Sequence, residues 1–445
     1  MTNENIFSKK LVKKEITTIS FSITFQNLIV FLLNMSSIFI LGLQGGIHLS
    51  AATLANQVYF LVYLAITGLA EGSNVMISRF WGENNHDAIH HTLAYTLRNT
   101  LVFGCIISLI TFIFPKEIMR ILTTDKTLIT LSCEYLKIVG ISYLFFCVST
   151  IMYNILRAVE IVLPSLIVSI IACITNISLT LFFMFPLNAG IQGVAIAVLI
   201  SRIIECTLIS IYTIYKQNQI NFKKIKLLYR NPAFAKRFYK TIAPLVSNEL
   251  LWALGDSVII IVFGRLGSDF INAQSVYSLL SQLTSVNLGF ASAACIICGK
   301  TIGQKNYDKL NYVIKTFKRI SIFVGIINAL IMIFGIFIIP IIYDYPDLSN
   351  LYIKQLSLCA TIIEFFKSIQ GMNMMGILRG GGDMKFILWN DMTFLWLYAI
   401  PVCLLSAFVF HLPVYMIFGL TKADQIIKFF TSEIRYKSNK WIQDV

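Results

Sequence analysis

About twenty apolar residues suffice to cross the hydrocarbon layer of a bilayer, and this chain offers twelve such runs. They cover approximately residues 20–42, 52–78, 92–114, 131–155, 161–185, 191–214, 241–263, 271–298, 317–342, 352–376, 386–410 and 413–430. Only 13% of the 445 residues are charged and 57% are hydrophobic, with a mean hydropathy of +0.75. A soluble domain carries roughly 25% charge, so the expected class is an all-α integral membrane protein. The last run is the shortest: its apolar part ends near Leu420, and Lys422 and Asp424 follow. The lysines ahead of the first run (Lys9, Lys10, Lys13, Lys14) precede a spanning-length segment with no small-residue cleavage site, which predicts a first transmembrane helix rather than a leader.

The chain also repeats itself. Gly68 and Gly82 stand fourteen residues apart, as do Gly289 and Gly303, at an offset of 221. Ile155-Leu156-Arg157 recurs as Ile377-Leu378-Arg379, and Gly42 as Gly264, both at 222. Duplicated halves in a membrane chain point to a transporter with its site between the repeats. Six spans per half is an even number, so the repeat is expected to be parallel, with both termini on the same side. The expected organisation is an N-terminal six-helix lobe over 1–215, a basic linker over 216–240 and a C-terminal six-helix lobe over 241–445.

The net charge of +14 could suggest nucleic acid, but its placement argues for topology. Residues 216–240 hold eight Lys/Arg and no acid, and 28 of the 36 basic residues fall on one side when both termini are cytoplasmic. That is the positive-inside asymmetry. The expectation is a multi-pass plasma-membrane protein that binds no nucleic acid and is a monomer. RNA or anionic-lipid binding by 216–240 is the weaker reading. Nine cysteines lie almost wholly in apolar runs; Cys295 and Cys298 form a CxxC with no second pair, so neither a metal nor a resident cofactor is expected.

A carboxylate in mid-membrane costs roughly 2.5–3.5 kcal/mol, so each one needs a reason. Glu249 and Asp256 are seven residues apart in the seventh run. Two helical turns put both on one face, about 10.5 Å apart along the axis, where they could share a cation or pass a proton. Offset 222 maps them onto Asn27 and Asn34 in the first run. Glu364 and Lys367 stand three apart and can pair across one turn, as can Arg202 and Glu205, which read more as structure. Glu71 also reads as structural, and Asp383 as a turn residue ahead of Asp391. Tyr, Phe and Trp faces suit planar cations, though composition alone supports this weakly. Met372, Met374 and Met375 could form an adaptable surface.

LLNMSSIFILGLQGG (32–46), ILRAVE (155–160), GIQGVAIAVLISRIIE (190–205), APLVSNELLWALGDS (243–257), GKTIGQKN (299–306), GILRGGGDMKF (376–386) and FLWLYAIP (394–401) together resemble multidrug and toxic compound extrusion (MATE) transporters of low-GC bacteria. The resemblance implies two six-helix lobes, a cavity between them open alternately to each side, and export of organic cations in exchange for Na+ or H+. The chain departs from that family at its N-terminal cation site. Ser37 stands where an aspartate is usual, Thr180 where a second acid follows the asparagine at Asn176, Val198 where a threonine is usual, and Ser22 at the proline that opens the first helix. Coupling acidity is therefore expected in the second half, on Glu249 with Asp256 assisting.

Two other classes fit the residues less well. His86, His90 and His91 form an HxxxHH array, but a membrane desaturase needs more histidines than the five present; no P-loop or nucleophile elbow occurs, and no enzyme is expected. A lipid-linked precursor flippase of similar architecture would need several unpaired Arg/Lys to hold phosphates. Only Arg202 and Lys367 lie mid-span, each beside an acid.

Overall fold

The computed structural model describes residues 8–42, 46–216, 220–222, 225–227, 230–284, 286–342 and 346–444. The elements in order are α1 (Lys9–Gly42), α2 (Gly46–Gly82), α3 (His86–Ile113), α4 (Pro115–Leu122), α5 (Lys126–Ala158), α6 (Leu163–Met184), α7 (Gly190–Ile211) and α8 (Pro232–Gly264). They continue as α9 (Ser268–Leu283), α10 (Val286–Gly303), α11 (Tyr307–Ile342), α12 (Asp347–Gly371), α13 (Met384–Met392), α14 (Ile400–Leu404), α15 (Val414–Lys422) and α16 (Asp424–Lys437). The twelve apolar runs fall mainly on these helices and on π-helical stretches that continue them. Among the described residues, eight helices are long and apolar enough to cross a membrane, and a ninth results if the bent pair α9–α10 counts as one span. The last run breaks where its charges begin: α15 stops at Lys422 and α16 restarts at Asp424.

Local chemistry sets the helix ends. Asn85 opens α3 by accepting a hydrogen bond from the Ala88 amide at 3.1 Å, and Asp125 opens α5 by accepting from Thr127 and Leu128 at 2.8 and 3.1 Å. Pro164 sits in the first turn of α6, where its missing N–H costs nothing, whereas Pro244 lies inside α8. Stretches of π-helix at Met372–Leu378, Thr393–Ala399 and Leu405–Val409 interrupt the region from α12 to α15.

The duplication extends to backbone conformation. Left-handed residues recur in pairs: Asn84 (φ 54°) with Lys305 (φ 55°), Glu160 (φ 65°) with Gly382 (φ 91°), and Asn188 (φ 48°) with His411 (φ 45°). Such a conformation costs a side-chain-bearing residue about 1–2 kcal/mol, so its return at offsets of 221–223 shows that the turns were copied together with the helices.

By its contacts the chain divides into two compact units, Phe25–Val246 and Met1–Thr24 with Ser247–Val445. The cuts fall inside α1 and α8. In the second unit, Phe21 meets Phe290 edge-on at 5.7 Å, Glu15 pairs with Lys300 at 2.9 Å, and Gly289 on α10 lies directly against Thr24. In the Phe25–Val246 unit, Gly68 on α2 lies against Val246, and Gly72 against Ile242. Gly68 and Gly289 are repeat counterparts, as are Val246 and Thr24, so the crossing is made the same way twice. Small residues here let the helix backbones touch.

Candidate functional site

In the Phe25–Val246 unit the helix-one, helix-six and helix-seven positions form a neutral cluster. The hydroxyls of Ser37 and Ser36 donate to Asn176 Oδ1 at 2.9 and 3.3 Å, and Asn176 Nδ2 donates to Ser201 Oγ at 3.2 Å. Thr180, one turn beyond Asn176, is fully buried, and its hydroxyl has no hydrogen-bond partner among the described residues. Ser37 and Asn176 are thus brought together, with no carboxylate between them. The side chain of Asn34 lies outside the described residues.

Asn27 belongs to a second group in the same unit. Arg157 donates from Nη2 to Asn27 Oδ1 at 3.0 Å and from Nε and Nη2 to Gln26 Oε1 at 2.9 and 2.7 Å. Gln26 Nε2 in turn donates to Ser169 Oγ at 3.2 Å, and Glu71 acts electrostatically on Arg157. Amide oxygens and a carboxylate around a buried guanidinium offset part of its desolvation. Deeper in the unit, Arg202 pairs with Glu205 at 2.7 Å, both almost fully buried; Tyr153 donates to Glu205 at 2.9 Å, and the Phe146 ring lies under the guanidinium at 5.0 Å.

The unit that contains Ser247–Val445 repeats the Arg157 arrangement with acids. Offset 222 carries Arg157 to Arg379, Asn27 to Glu249, Gln26 to Asn248 and Ser169 to Asp391. The contacts follow: Arg379 Nη2 stands 3.5 Å from Glu249 Oε1, and Asn248 Nδ2 donates to Asp391 Oδ2 at 3.1 Å. Asp391 also pairs with Lys428 at 3.2 Å, and Lys428 with Asp424 at 3.1 Å.

Glu249 and Asp256 do not share a partner. Asp256 pairs with Lys422 at 3.5 Å, while Glu249 faces Arg379. Two turns of helix separate them by more than one cation can bridge, and each has met its own basic residue. Glu364 and Lys367 are paired, at 2.8 Å. Glu364 is fully buried and also accepts from Tyr277 at 3.1 Å, Ser281 at 3.1 Å and Thr284 at 3.0 Å, while Lys367 is partly exposed. Asp383 precedes α13 and is a buried anchor: Arg435 donates to it at 2.6 Å and Gln443 at 2.7 Å.

The reading from residues did not single out Asn248, Asp424 or Lys428. The signals were present: Asn248 is the offset-222 partner of Gln26, and Asp424 and Lys428 have the i,i+4 spacing of a helical ion pair. The histidines fall outside these groups, His90 facing the carbonyl of Ile220. Among the described residues, no group of three or more His, Cys, Asp or Glu is placed to hold a metal.

Duplicated bundles of membrane helices with polar and charged residues buried inside each are an architecture of membrane transporters. The MatE family model matches residues 22–182 and again 244–405, two segments that begin at the offset of the repeat. The chain belongs to the MATE family. It is similar to the "Probable multidrug resistance protein YoeA" of Bacillus subtilis, with 23% identity over 77% of this chain and 76% of that one. It is also similar to the "Probable multidrug resistance protein NorM" of Thermotoga maritima, with 21% identity over 97% and 93%. Among solved structures, a MOP superfamily transporter from Pyrococcus furiosus superposes with a TM-score of 0.87 at 15% identity, covering 97% of each chain. A MATE transporter in a bent conformation gives 0.83 at 16%, covering 96% of each chain. The fold is thus that of a MATE transporter, a multi-pass membrane protein.

Proposed function

We propose that this protein is a secondary active antiporter that exports organic cations and drugs across the plasma membrane, driven by entry of Na+ or H+ through alternating access between two six-helix lobes. The monomer is the working unit, and both termini are cytoplasmic. The observation that carries this reading is the charge contrast between equivalent positions: Asn27 and Ser169 in the first copy, Glu249 and Asp391 in the second. Carboxylates kept in membrane helices at substantial cost are suited to taking up and releasing a cation.

Glu249 is the principal coupling acid. Its side chain keeps 17% exposure and lies beside Arg379, with Oε1 standing 3.5 Å from Nη2. A partly exposed carboxylate beside a guanidinium can exchange that partner for an incoming ion. Asp256, held by Lys422 at the same distance, assists. Glu364, locked by four donors, positions the helices around it. Cationic cargo is favoured because Arg202, Lys367, Arg379 and Lys428 each already face a carboxylate within 3.5 Å, which leaves these cations poorly placed to hold a phosphate.

The test is export of a fluorescent organic cation from proteoliposomes, under a Na+ gradient and then under a pH gradient. The wild type is expected to export under one of them and Glu249→Gln under neither. Unchanged ion-driven export in Glu249→Gln would remove Glu249 from the mechanism.

A further inference from the structure

In the Phe25–Val246 unit the end of the basic stretch is folded onto α3. His90 faces the Ile220 carbonyl, and Ile220 and Phe222 are buried. Tyr95 donates to the Asn231 carbonyl at 3.1 Å and accepts from the Asn231 amide at 3.0 Å. Asn231 Oδ1 accepts from the amides of Ala233 and Phe234 at 3.1 and 3.2 Å, which opens α8. One row of α8 then turns inward. Phe234 stacks on Tyr95 at 5.9 Å, Phe238 is fully buried with its ring 5.4 Å from the same tyrosine, and Ile242 lies on Gly72. Lys236, Arg237, Tyr239 and Lys240 fall away from that row and are exposed. The Arg237 guanidinium rests 5.2 Å over the Phe80 ring, which fixes where its charge is presented.

Lys236 and Lys240 stand one turn apart with Arg237 beside them, and like charges at that spacing repel. Among the described residues none of the three forms a salt bridge, not even with Glu83 or Asp87 on the neighbouring turn into α3. The repeat shows the contrast. Offset 222 carries Arg237 to Glu15, and offset 221 carries Arg79 to Lys300. In the unit that holds Met1–Thr24, Glu15 pairs with Lys300 at 2.9 Å and with Lys309 at 3.4 Å. The position that supplies the anion in one copy supplies a further cation in the other. Electrostatics therefore favours a counter-charge from outside the chain.

α8 is a candidate span of 33 residues. Such a helix rises about 50 Å, against a hydrocarbon core of about 30 Å, so its charged first turns stand at the level of the lipid headgroups. We infer that Lys236, Arg237 and Lys240, with the half-exposed Tyr239 ring beside them, form a docking surface for the phosphates of anionic phospholipids in the leaflet this end of α8 enters. Ammonium and guanidinium donors suit a phosphodiester, and tyrosine suits the headgroup layer. The positive-inside rule accounts for the sign of these charges, but not for their display on one face of a docked helix. That face runs directly into the apolar residues from 241 onward. A lipid meets the charges with its phosphate and the apolar run with its chains, whereas an RNA strand meets only the charges. The surface is independent of the export reading, because it binds lipid whatever the chain carries.

The test reads binding without transport. The melting temperature of purified full-length protein in a nonionic detergent is followed as dioleoyl phosphatidylglycerol or dioleoyl phosphatidylcholine is added. Phosphatidylglycerol is expected to raise it saturably, and phosphatidylcholine to leave it unchanged. The phosphatidylglycerol needed for half the rise should increase about fivefold in Arg237→Gln, and further when Lys236→Gln and Lys240→Gln are added. Lys116→Gln with Arg120→Gln and Lys126→Gln removes an equal charge from exposed positions on and after α4, beyond the other end of α3, and should leave the titration as in the wild type. Arg237→Gln alone reports if the triple variant does not yield monodisperse protein. A wild-type titration in the Arg237 variants, an equal loss in the α4 control, or an equal effect of phosphatidylcholine overturns the surface. So does the same stabilisation by inorganic phosphate or by a single-stranded RNA oligonucleotide.

Discussion

Gly289 lies so close to Thr24 that a methyl group added at residue 289 would stand 2.5 Å from the Thr24 Cα. Its counterpart Gly68 is as confined, with Val246 Cα at 2.8 Å. Backbone cannot yield as a side-chain tip can. Gly289→Ala and Gly68→Ala are each expected to destabilise the protein by about 1–3 kcal/mol, seen as a lower melting temperature in detergent. Gly264→Ala is the control: nothing lies within 4 Å of the added atom, and its melting temperature should stay close to that of the wild type.

Arg202 and Glu205 are 3% and 1% exposed. Glu205→Gln removes the carboxylate paired with Arg202 at 2.7 Å and leaves a buried guanidinium poorly compensated, which costs about 3–5 kcal/mol. Low yield of folded protein by size-exclusion fluorescence is the expected result. Replacing both residues with apolar ones, as Arg202→Met with Glu205→Leu, should recover most of the loss. A double variant as unstable as Glu205→Gln would show that the pair is not the source of the cost.

The Glu364–Lys367 pair is lopsided, with side chains 1% and 39% exposed. Lys367→Met is expected to cost less than removing the acid, because Tyr277, Ser281 and Thr284 still donate to Glu364 and the lost lysine is itself partly exposed. Glu364→Leu strands Tyr277, Ser281 and Thr284 as well as Lys367, and should cost about 3 kcal/mol or more. Thermal melts of the two single variants check the ranking; equal losses would contradict it.

Trp441 is 2% exposed and packs on Gly381, whose added Cβ would meet the indole at 2.1 Å. Gln443 binds the same loop through its amide to Gly381 O at 2.9 Å and through its side chain to Asp383 at 2.7 Å. Trp441→Ala is expected to cost about 3–5 kcal/mol. Truncation after Ser438 should expose residues 380–383 to limited proteolysis at protein concentrations where the full chain resists; equal resistance would show that the tail does not hold the loop.

The helical class, the twelve runs and the duplication were legible because they depend on hydropathy and spacing, which a sequence records directly. The Glu364–Lys367 pair was legible for the same reason: both residues lie within one turn of one helix. What was missed depends on which helices become neighbours. Glu249 and Asp256 share a face, yet Arg379 and Lys422, from distant parts of the chain, reach them separately. Lys428 looked like one of several tail lysines, and only the placement of α16 beside α13 buries it between two aspartates.

The hydroxyl–amide cluster of Ser36, Ser37, Asn176 and Ser201 has a consequence for bioenergetics. Moving one elementary charge through 100 mV of membrane potential involves roughly 2.3 kcal/mol, and a neutral cluster exchanges none of that work. The cluster has no intrinsic charge of its own on which voltage or a proton gradient acts. A gating charge intrinsic to the protein therefore has to come from the ionisable residues instead, and Ser37→Ala is expected to leave such charge movement unchanged in a capacitive-current recording.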